Sequence, residues 1–508
     1  LLFNFHTSII AKYSFLGKLG VVFLQHQKVI LEYYNNKYSM ELVIPHSSKV
    51  VDLSAKIPKV YSGTRFLHLV NGAASGIAAL NLSPESSIGI IGVNSAPLMI
   101  AMLGTHKTNH ACVPVNYKLP KDKIHFCLQD SNVGFVFCDG KFKHLVPDHI
   151  PVIEFGEEFD SFIDNKNTVP IDLDPNRLCM VLYTSGSTGN PKKILFSFKD
   201  RFASLYTPNS ELTIPRNNIK TLSANPFFHN AGIHWFNASL MREGTVFLVS
   251  EFNARIFLET IDKYKINSIN VVTPMMLMML NETELLDSLD LSSIQEIVYQ
   301  AALADPLTLE RAAKVFVNLM HTRNPYGLTE TGTSLFGRHP DGIPIPYGSA
   351  GYPLPSMNVK LVDDVLYVRT KDMYSRLSEG TEEYFDTKDR FTMDANGFYY
   401  YIGRADDMLK CGGEKVYPME IEAVLNQHPS VEHSLAIGLT DDVKGQKPYA
   451  FVKLSSPLSE QELIEYAAKN LATYQIPKRI WAIDQFPINA IGKIDKKNLV
   501  QLAERYIL

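Results

Sequence analysis

The sequence predicts an α/β fold with largely parallel sheets, and three observations carry that expectation. Short apolar runs of strand length alternate with helix-spaced runs from about Met40 to Ile402. The chain has 508 residues, too long for a single core, so it divides into two or more domains. After Gly403 the character shifts to a stretch richer in lysine.

Residues 1–39 begin at Leu1 and carry Lys12, Lys18 and Lys28 with no acid before Glu32. They read as a mis-assigned start or a targeting segment, because Met40 opens a cleaner globular sequence. Residues 87–93 form an apolar run of strand length. Asn94-Ser95 then offers a cap for a helix with Pro97 in its first turn. A second strand is expected at 134–138, before Asp139-Gly140. Residues 255–265 place Ile256, Leu258, Ile261 and Tyr264 at helical spacing, and 269–272 read as a strand halted before Pro274. The methionines 275, 276, 278 and 279 fit a core or pocket wall. Pro418 opens an expected helix running to Leu425. We place the domains at 40–402 and 403–508, with the boundary at 402–406.

Hydrophobic residues make up 45% and charged residues 20%, an ordinary globular balance. A formal net charge of −4 gives no basic field for nucleic acid. The five cysteines are odd in number and show no C-x-x-C spacing, which fits free thiols in a reducing, cytoplasmic setting. No run of 18 apolar residues occurs, so no membrane span is expected.

The strongest motif is Tyr183-Thr184-Ser185-Gly186-Ser187-Thr188-Gly189-Asn190-Pro191-Lys192-Lys193, which follows the apolar run 178–182. Small residues let backbone N–H groups approach a polyanion, hydroxyls donate to its oxygens, and lysine adds charge. It is not a G-x-x-x-x-G-K-[ST] loop, because the second glycine position, counted from Gly186, holds Pro191. Three further segments stand out: Asn225-Pro226-Phe227-Phe228-His229-Asn230-Ala231-Gly232, Asn324-Pro325-Tyr326-Gly327-Leu328-Thr329-Glu330-Thr331-Gly332, and Gly403-Arg404-Ala405-Asp406-Asp407-Met408-Leu409-Lys410-Cys411-Gly412-Gly413. The last motif is Ile491-Gly492-Lys493-Ile494-Asp495, close to the end. Taken singly, each has a bland reading: a surface turn, a packing histidine, a solvated carboxylate, a polar linker, a loop-tip charge.

Taken in order, these motifs resemble those of the adenylate-forming superfamily of acyl-coenzyme A synthetases, peptide-synthetase adenylation domains and luciferases, over about residues 50–500. The resemblance implies an α/β fold. Its large multi-subdomain N-terminal domain has packed α/β sheets and a small β-barrel part, and a small mobile α+β C-terminal domain follows. It implies ATP, Mg²⁺ and coenzyme A as cofactors, and a small-molecule carboxylic acid as partner. The acid becomes an acyl-AMP and then a thioester, as in fatty acid metabolism.

Residue by residue, it implies Thr184, Ser185, Gly186, Ser187, Thr188, Gly189 and Lys192 around the phosphates. Ala301, Ala302, Asn324, Tyr326 and Gly327 lie by the adenine, and Thr329 by the α-phosphate. Asp389 and Arg404 hold the ribose. Glu330 and Thr184 face Mg²⁺. His229, Asn230, Gly232 and Gln300 line the acyl pocket, and Lys410, Gly412 and Gly413 the coenzyme A channel. Asp406 is the hinge, and Lys493 the lysine that meets the reacting carboxylate and phosphate. Three departures stand against the pattern: Lys193 and Lys388 replace glycines, and 366–388 is short. Lys496-Lys497 reads as a solvated helix start. Two alternatives stay open: an adenylating enzyme that loads a separate carrier protein, and a catalytically weak nucleotide or acyl sensor. The pocket segment has no acid beside Phe228, which argues against an α-amino acid substrate.

Overall fold

A computed structural model describes residues 44–507 apart from 165–173, 175, 185–189, 199–200, 202–218, 242, 301–305, 332–333, 355–356, 371–383, 442–444 and 488–493. The expected segment 1–39 lies outside the described residues. Numbered along the chain, four sheets organise the rest. The first has the order β13 (His321–Arg323), β12 (Glu296–Gln300), β11 (Ser268–Val272), β9 (Lys220–Ser223), β10 (Thr245–Leu248), β1 (Lys49–Asp52), β2 (Lys59–Ser62). The second has the order β6 (Val152–Glu154), β5 (Val133–Cys138), β3 (Ser87–Ile91), β4 (Cys112–Pro114), β7 (Leu178–Thr184), β8 (Lys192–Ser197). Both are parallel except at one edge, where β2 and β8 run antiparallel to their neighbours. Strands buried on both faces read as continuous apolar runs, which is why 87–91 was visible as a strand.

Helices α1 (Gly63–Ala79) and α2 (Ala96–His106) join the two sheets through one core. Phe66, Val70, Ala73 and Ile77 of α1 and Met99, Met102 and Leu103 of α2 are buried in it. Each large side chain there contributes about 1.5–3 kcal/mol. Helices α3 (Lys121–Asp130), α4 (Glu157–Ile163) and α5 (Asn230–Met241) complete this half. Helices α6 (Ala254–Tyr264), α7 (Thr273–Leu280), α8 (Thr283–Leu286) and α9 (Pro306–Val315) flank the first sheet. In α6 the buried stripe is Phe257, Leu258 and Ile261, with Tyr264 packed at its edge, while Ile256 is exposed. Asn253 caps the helix by accepting from the Ile256 N–H, and that start turns Ile256 outward. Met276 and Met279 of α7 are core, but Met278 faces solvent, contrary to expectation.

The expected barrel part is a half-barrel, an open antiparallel sheet in the order β14 (Phe336–Gly337), β15 (Ser349–Pro353), β19 (Tyr399–Arg404), β18 (Phe385–Met393), β17 (Val365–Thr370), β16 (Met357–Val362). The smaller C-terminal domain has the order β21 (Glu414–Val416), β20 (Leu409–Cys411), β23 (Gly445–Leu454), β22 (Val431–Asp441), with β24 (Ile480–Ala482) parallel to β23. It carries α10 (Pro418–Leu425), α11 (Glu460–Asn470) and α12 (Lys496–Ile507). A reciprocal capping box between Ser459 and Glu462 starts α11. The last strand of the half-barrel ends at Arg404 and the first of the small domain begins at Leu409, so residues 405–408 connect them.

Candidate active site

The glycine-rich motif spans a hairpin. Thr184 ends β7 and pairs with Lys192 on β8, and Tyr183 pairs with Lys193. Ser185, Gly186, Ser187, Thr188 and Gly189, between them, lie outside the described residues. Lys193 turns to the end of α3, where its Nζ forms an ion pair with Asp130 at 3.1 Å. The Tyr183 hydroxyl donates to the same carboxylate at 2.6 Å. The departure at Lys193 therefore has a structural use: it anchors the hairpin base through a residue 63 positions earlier, a partner no local spacing reveals. On the other face, Lys192 Nζ stands 3.9 Å from Glu330 Oε1. That contact brings the glycine-rich hairpin to the loop after β13, which carries Asn324, Tyr326, Gly327, Thr329 and Glu330. Thr331 closes this loop, its Oγ1 accepting from the Leu328 N–H at 3.0 Å.

Tyr326 then reaches the half-barrel. Its hydroxyl donates to Asp389 Oδ2 at 2.5 Å, and Arg404 Nη1 donates to Asp389 Oδ1 at 3.0 Å. Asp389 and Arg404 are register partners on β18 and β19, and Asp389 is 3% exposed. Burial, followed by the Asp389 charge, pushes the Tyr326 hydroxyl well above the usual tyrosine range, so it stays a donor at any physiological pH. The departure at Lys388 also resolves. Its φ is 59°, in the left-handed region where glycine sits without strain, so the turn keeps its shape at a conformational cost. Asp386 stabilises the turn by accepting the Lys388 N–H at 2.9 Å and pairing with its Nζ at 2.6 Å.

His229 precedes α5, and Asn230 and Gly232 lie in its first turn. The His229 N–H donates to Pro226 O at 3.0 Å, and Asn230 Oδ1 accepts from the buried Arg201 at 2.6 Å. A Cβ at position 232 would stand 2.6 Å from Asn225 O and 2.7 Å from Pro226 O, so only glycine fits. Gln300 ends β12, opposite Val272; its side chain, Ala301 and Ala302 lie outside the described residues.

In the small domain, Gly412 and Gly413 form the two-residue turn between β20 and β21, with φ of 63° and 94°. Both angles are positive, as the tight hairpin turn of this length requires. Lys410 lies on β20, its N–H donating to Gln446 Oε1 at 2.9 Å. Asp406 lies in the short connector with its carboxylate 3.4 Å from Arg404. Lys493 lies outside the described residues. Lys496, half-exposed at the start of α12, also pairs with Asp407 at 2.6 Å and ties α12 to the connector. The pairing spans 89 positions, which is why the charge run read as a plain helix start.

Beside that pair, Glu422 of α10 accepts the Ala436 N–H at 2.9 Å. Burial pushes its carboxyl up from 4.5 to about 7; the Ala436 bond and Lys496 pull it down and Asp407 adds to the rise. A raised carboxyl favours the fold when protonated, so this stabilisation is complete below about pH 4.5 and is lost as pH rises through 7. Glu422→Gln keeps the acceptor oxygen without the charge. Its Tm should match wild type near pH 4.5 and exceed it increasingly up to pH 8 in thermal unfolding; a constant offset would remove Glu422 as the cause.

A family model described as AMP-binding enzyme matches residues 49–370, and one described as AMP-binding enzyme C-terminal domain matches 420–493. The 2-succinylbenzoate–CoA ligase of Bacillus subtilis (strain 168) is 27% identical over 444 residues, 84% of this chain and 90% of its own. The solved o-succinylbenzoate CoA synthetase from Bacillus subtilis, in complex with its acyl-adenylate intermediate, is 26% identical with a TM-score of 0.73, covering 87% of this chain and 93% of that one. A second structure of that synthetase, in complex with ATP and magnesium ion, is 25% identical with a TM-score of 0.73, covering 87% and 95%.

Proposed function

The chain belongs to the AMP-binding enzyme family, and from that premise we propose that it is an ATP- and Mg²⁺-dependent acid–thiol ligase that makes an acyl-coenzyme A. The observation that carries this reading is the convergence of separate segments on one face: Lys192 against Glu330, and Tyr326 with Arg404 on Asp389. A carboxylate oxygen of the acid attacks the α-phosphorus of ATP, and the bond to pyrophosphate breaks. The coenzyme A sulfur then attacks the acyl carbon, and AMP leaves. In this reading Asp389 holds the ribose, the Tyr326 ring flanks the adenine, and Thr184, Thr329 and Lys493 offset phosphate charge. Ser185, Gly186, Ser187, Thr188 and Gly189 cradle the phosphates, and the small domain turns about Asp406 between half-reactions to bring Gly412 and Gly413 to the thiol path.

The residues fit Mg²⁺. Among the described residues no cluster of three or more metal-ligating His, Cys, Asp or Glu side chains occurs. The Glu330 carboxylate is only 17% exposed at the mouth of the phosphate hairpin. One carboxylate plus substrate phosphates is how this cation is ordinarily held, with Thr184 adding a hydroxyl, and when bound it neutralises phosphate charge. Glu330→Gln should raise the Mg²⁺ concentration for half-maximal activity several-fold while Tm barely moves, since its pairing with the half-exposed Lys192 is weak. An unchanged Mg²⁺ dependence would take Glu330 out of the site.

Five free, buried cysteines support a cytoplasmic setting, and among the described residues no helix is long and apolar enough to cross a membrane. The test is pyrophosphate release from ATP with acetate, octanoate, palmitate, benzoate or 2-succinylbenzoate, with and without coenzyme A. We expect release that depends on one acid class and a thioester product only with coenzyme A. Octanoate or palmitate turned over fastest would support a role in fatty acid metabolism. Acid-dependent release with no thioester would favour the carrier-loading alternative, and no release with any acid would overturn the ligase reading.

A further inference from the structure

Asn94 follows β3, and its backbone is pinned on both sides by carboxylates from different sheets. The Val93 N–H donates to Asp139 Oδ2 at 2.8 Å, from the end of β5. The Ala96 N–H donates to Asp52 Oδ2 at 2.7 Å, from the end of β1. Ser95, not Asn94, caps α2, accepting the Leu98 N–H at 3.3 Å. That leaves the Asn94 amide for another task. Its Oδ1 accepts the Phe227 N–H at 3.0 Å and its Nδ2 donates to Asn225 O at 3.0 Å, so one side chain imitates a strand partner for residues 225–227. Asn225 in turn donates through Nδ2 to Asn270 Oδ1 on β11 at 2.7 Å. The three asparagines are 3%, 4% and 1% exposed, so water does not compete for these bonds.

The clamped residues are touched from the other side as well. Gly232 packs against Asn225 O and Pro226 O with no room for a Cβ, and Pro226 O receives the His229 N–H. Phe228 meets Tyr117 edge-on at 5.5 Å, and Tyr117 stacks on Phe142 at 4.4 Å. A shift of residues 225–227 must therefore move His229 and the first turn of α5 together.

We propose that Asn94, with Asn225 and Asn270, forms a bracket across the two sheets that seats the His229 segment, and that Asn94 is a positioning residue for the acid. The inference rests on the ligase reading, in which His229 and Asn230 line the acyl pocket. None of the three asparagines bonds to Tyr326 or Asp389 in the hydrogen bonds described above; their bonds run to the segment that precedes His229. Loosening it misplaces the acid relative to ATP, and small misplacements of a reacting group cost rate steeply.

The test compares wild type with Asn94→Ala, which removes both bonds, and with Asn94→Asp, which keeps the bond from Phe227 but sets a buried carboxylate against the Asn225 carbonyl oxygen. Pyrophosphate exchange is measured with ATP and the best of benzoate, 2-succinylbenzoate and octanoate. We expect the KM for the acid to rise about tenfold in Asn94→Ala and at least as much in Asn94→Asp, with the KM for ATP within about twofold. A merely structural role would lower Tm and active fraction and move neither KM; that outcome, or equal shifts in both KM values, overturns the proposal. A second arm does not need the substrate. The chain has two tryptophans, and Trp235 lies on α5. In a Trp481→Phe background, acrylamide quenching of Trp235 should increase in both Asn94 variants, and unchanged quenching overturns the bracket. If wild type shows no exchange with any acid, the ligase reading fails, and quenching alone decides whether the bracket seats this segment.

Discussion

Replacing Lys493 with alanine is expected to lower acid-dependent pyrophosphate exchange by roughly a hundred- to a thousandfold, the usual cost of removing one group aimed at developing charge. The same variant should convert supplied acyl-AMP and coenzyme A to thioester at close to the wild-type rate. The asymmetry follows from where the residue hangs. The Asp495 N–H donates to Pro487 O at 2.8 Å. Asp495 Oδ1 then accepts the Asn498 N–H at 3.2 Å and starts α12, whose first residue, Lys496, is paired with Asp407. The residues that follow Lys493 are thus tied to the connector that carries Asp406. If the small domain turns there, Lys493 leaves the phosphate as Gly412 and Gly413 approach, and only the first half-reaction needs its charge. Quenched-flow measurement of the two half-reactions decides it: an equal loss in both would rule out a division of labour between two orientations.

Much of the fold was legible because its signals are local. Strands β3, β5, β7 and β11 announced themselves as apolar runs, three of them halted by Asn94, by Asp139-Gly140 or ahead of Pro274, and α10 by its leading proline. The errors were local too. The strand expected over 87–93 stops at Ile91, because the Val93 N–H goes to Asp139 instead of a neighbouring strand. Ile256 was one position off the buried stripe because the cap at Asn253 sets the phase of α6. What spacing could not carry was every partner far along the chain: Asp130 for Lys193, Asp407 for Lys496, Asn94 for Phe227. Lys388 shows the converse limit. A residue of another type there stands as a departure from the motif, yet its backbone holds the glycine conformation beside Asp389, which meets Tyr326 and Arg404.

That carboxylate is where the second large effect is expected. Asp389 Oδ2 accepts from Tyr326 and Oδ1 from Arg404. In the ligase reading this carboxylate also accepts the ribose hydroxyls. Hydrogen bonds to a charged acceptor contribute about 1.5–3 kcal/mol each, and every 1.4 kcal/mol is a factor of about ten in affinity. Asp389→Ala should therefore weaken ATP binding by roughly a hundredfold or more. Asp389→Asn, which keeps one acceptor oxygen, should cost about tenfold, and Tyr326→Phe, which removes only a neighbour's bond, should cost less. The fold should survive, because Arg404 is 37% exposed and can turn to water, while the Tyr326 ring keeps its contacts with Phe391 and Phe336. Titration calorimetry with ATP, 2′-deoxy-ATP and 3′-deoxy-ATP separates the ribose contact from general damage. Wild type should bind both deoxy nucleotides more weakly than ATP, and Asp389→Ala should no longer distinguish the three. If the alanine variant still discriminates against the deoxy nucleotides as wild type does, the ribose is held elsewhere and Asp389 serves only to order Tyr326 and Arg404.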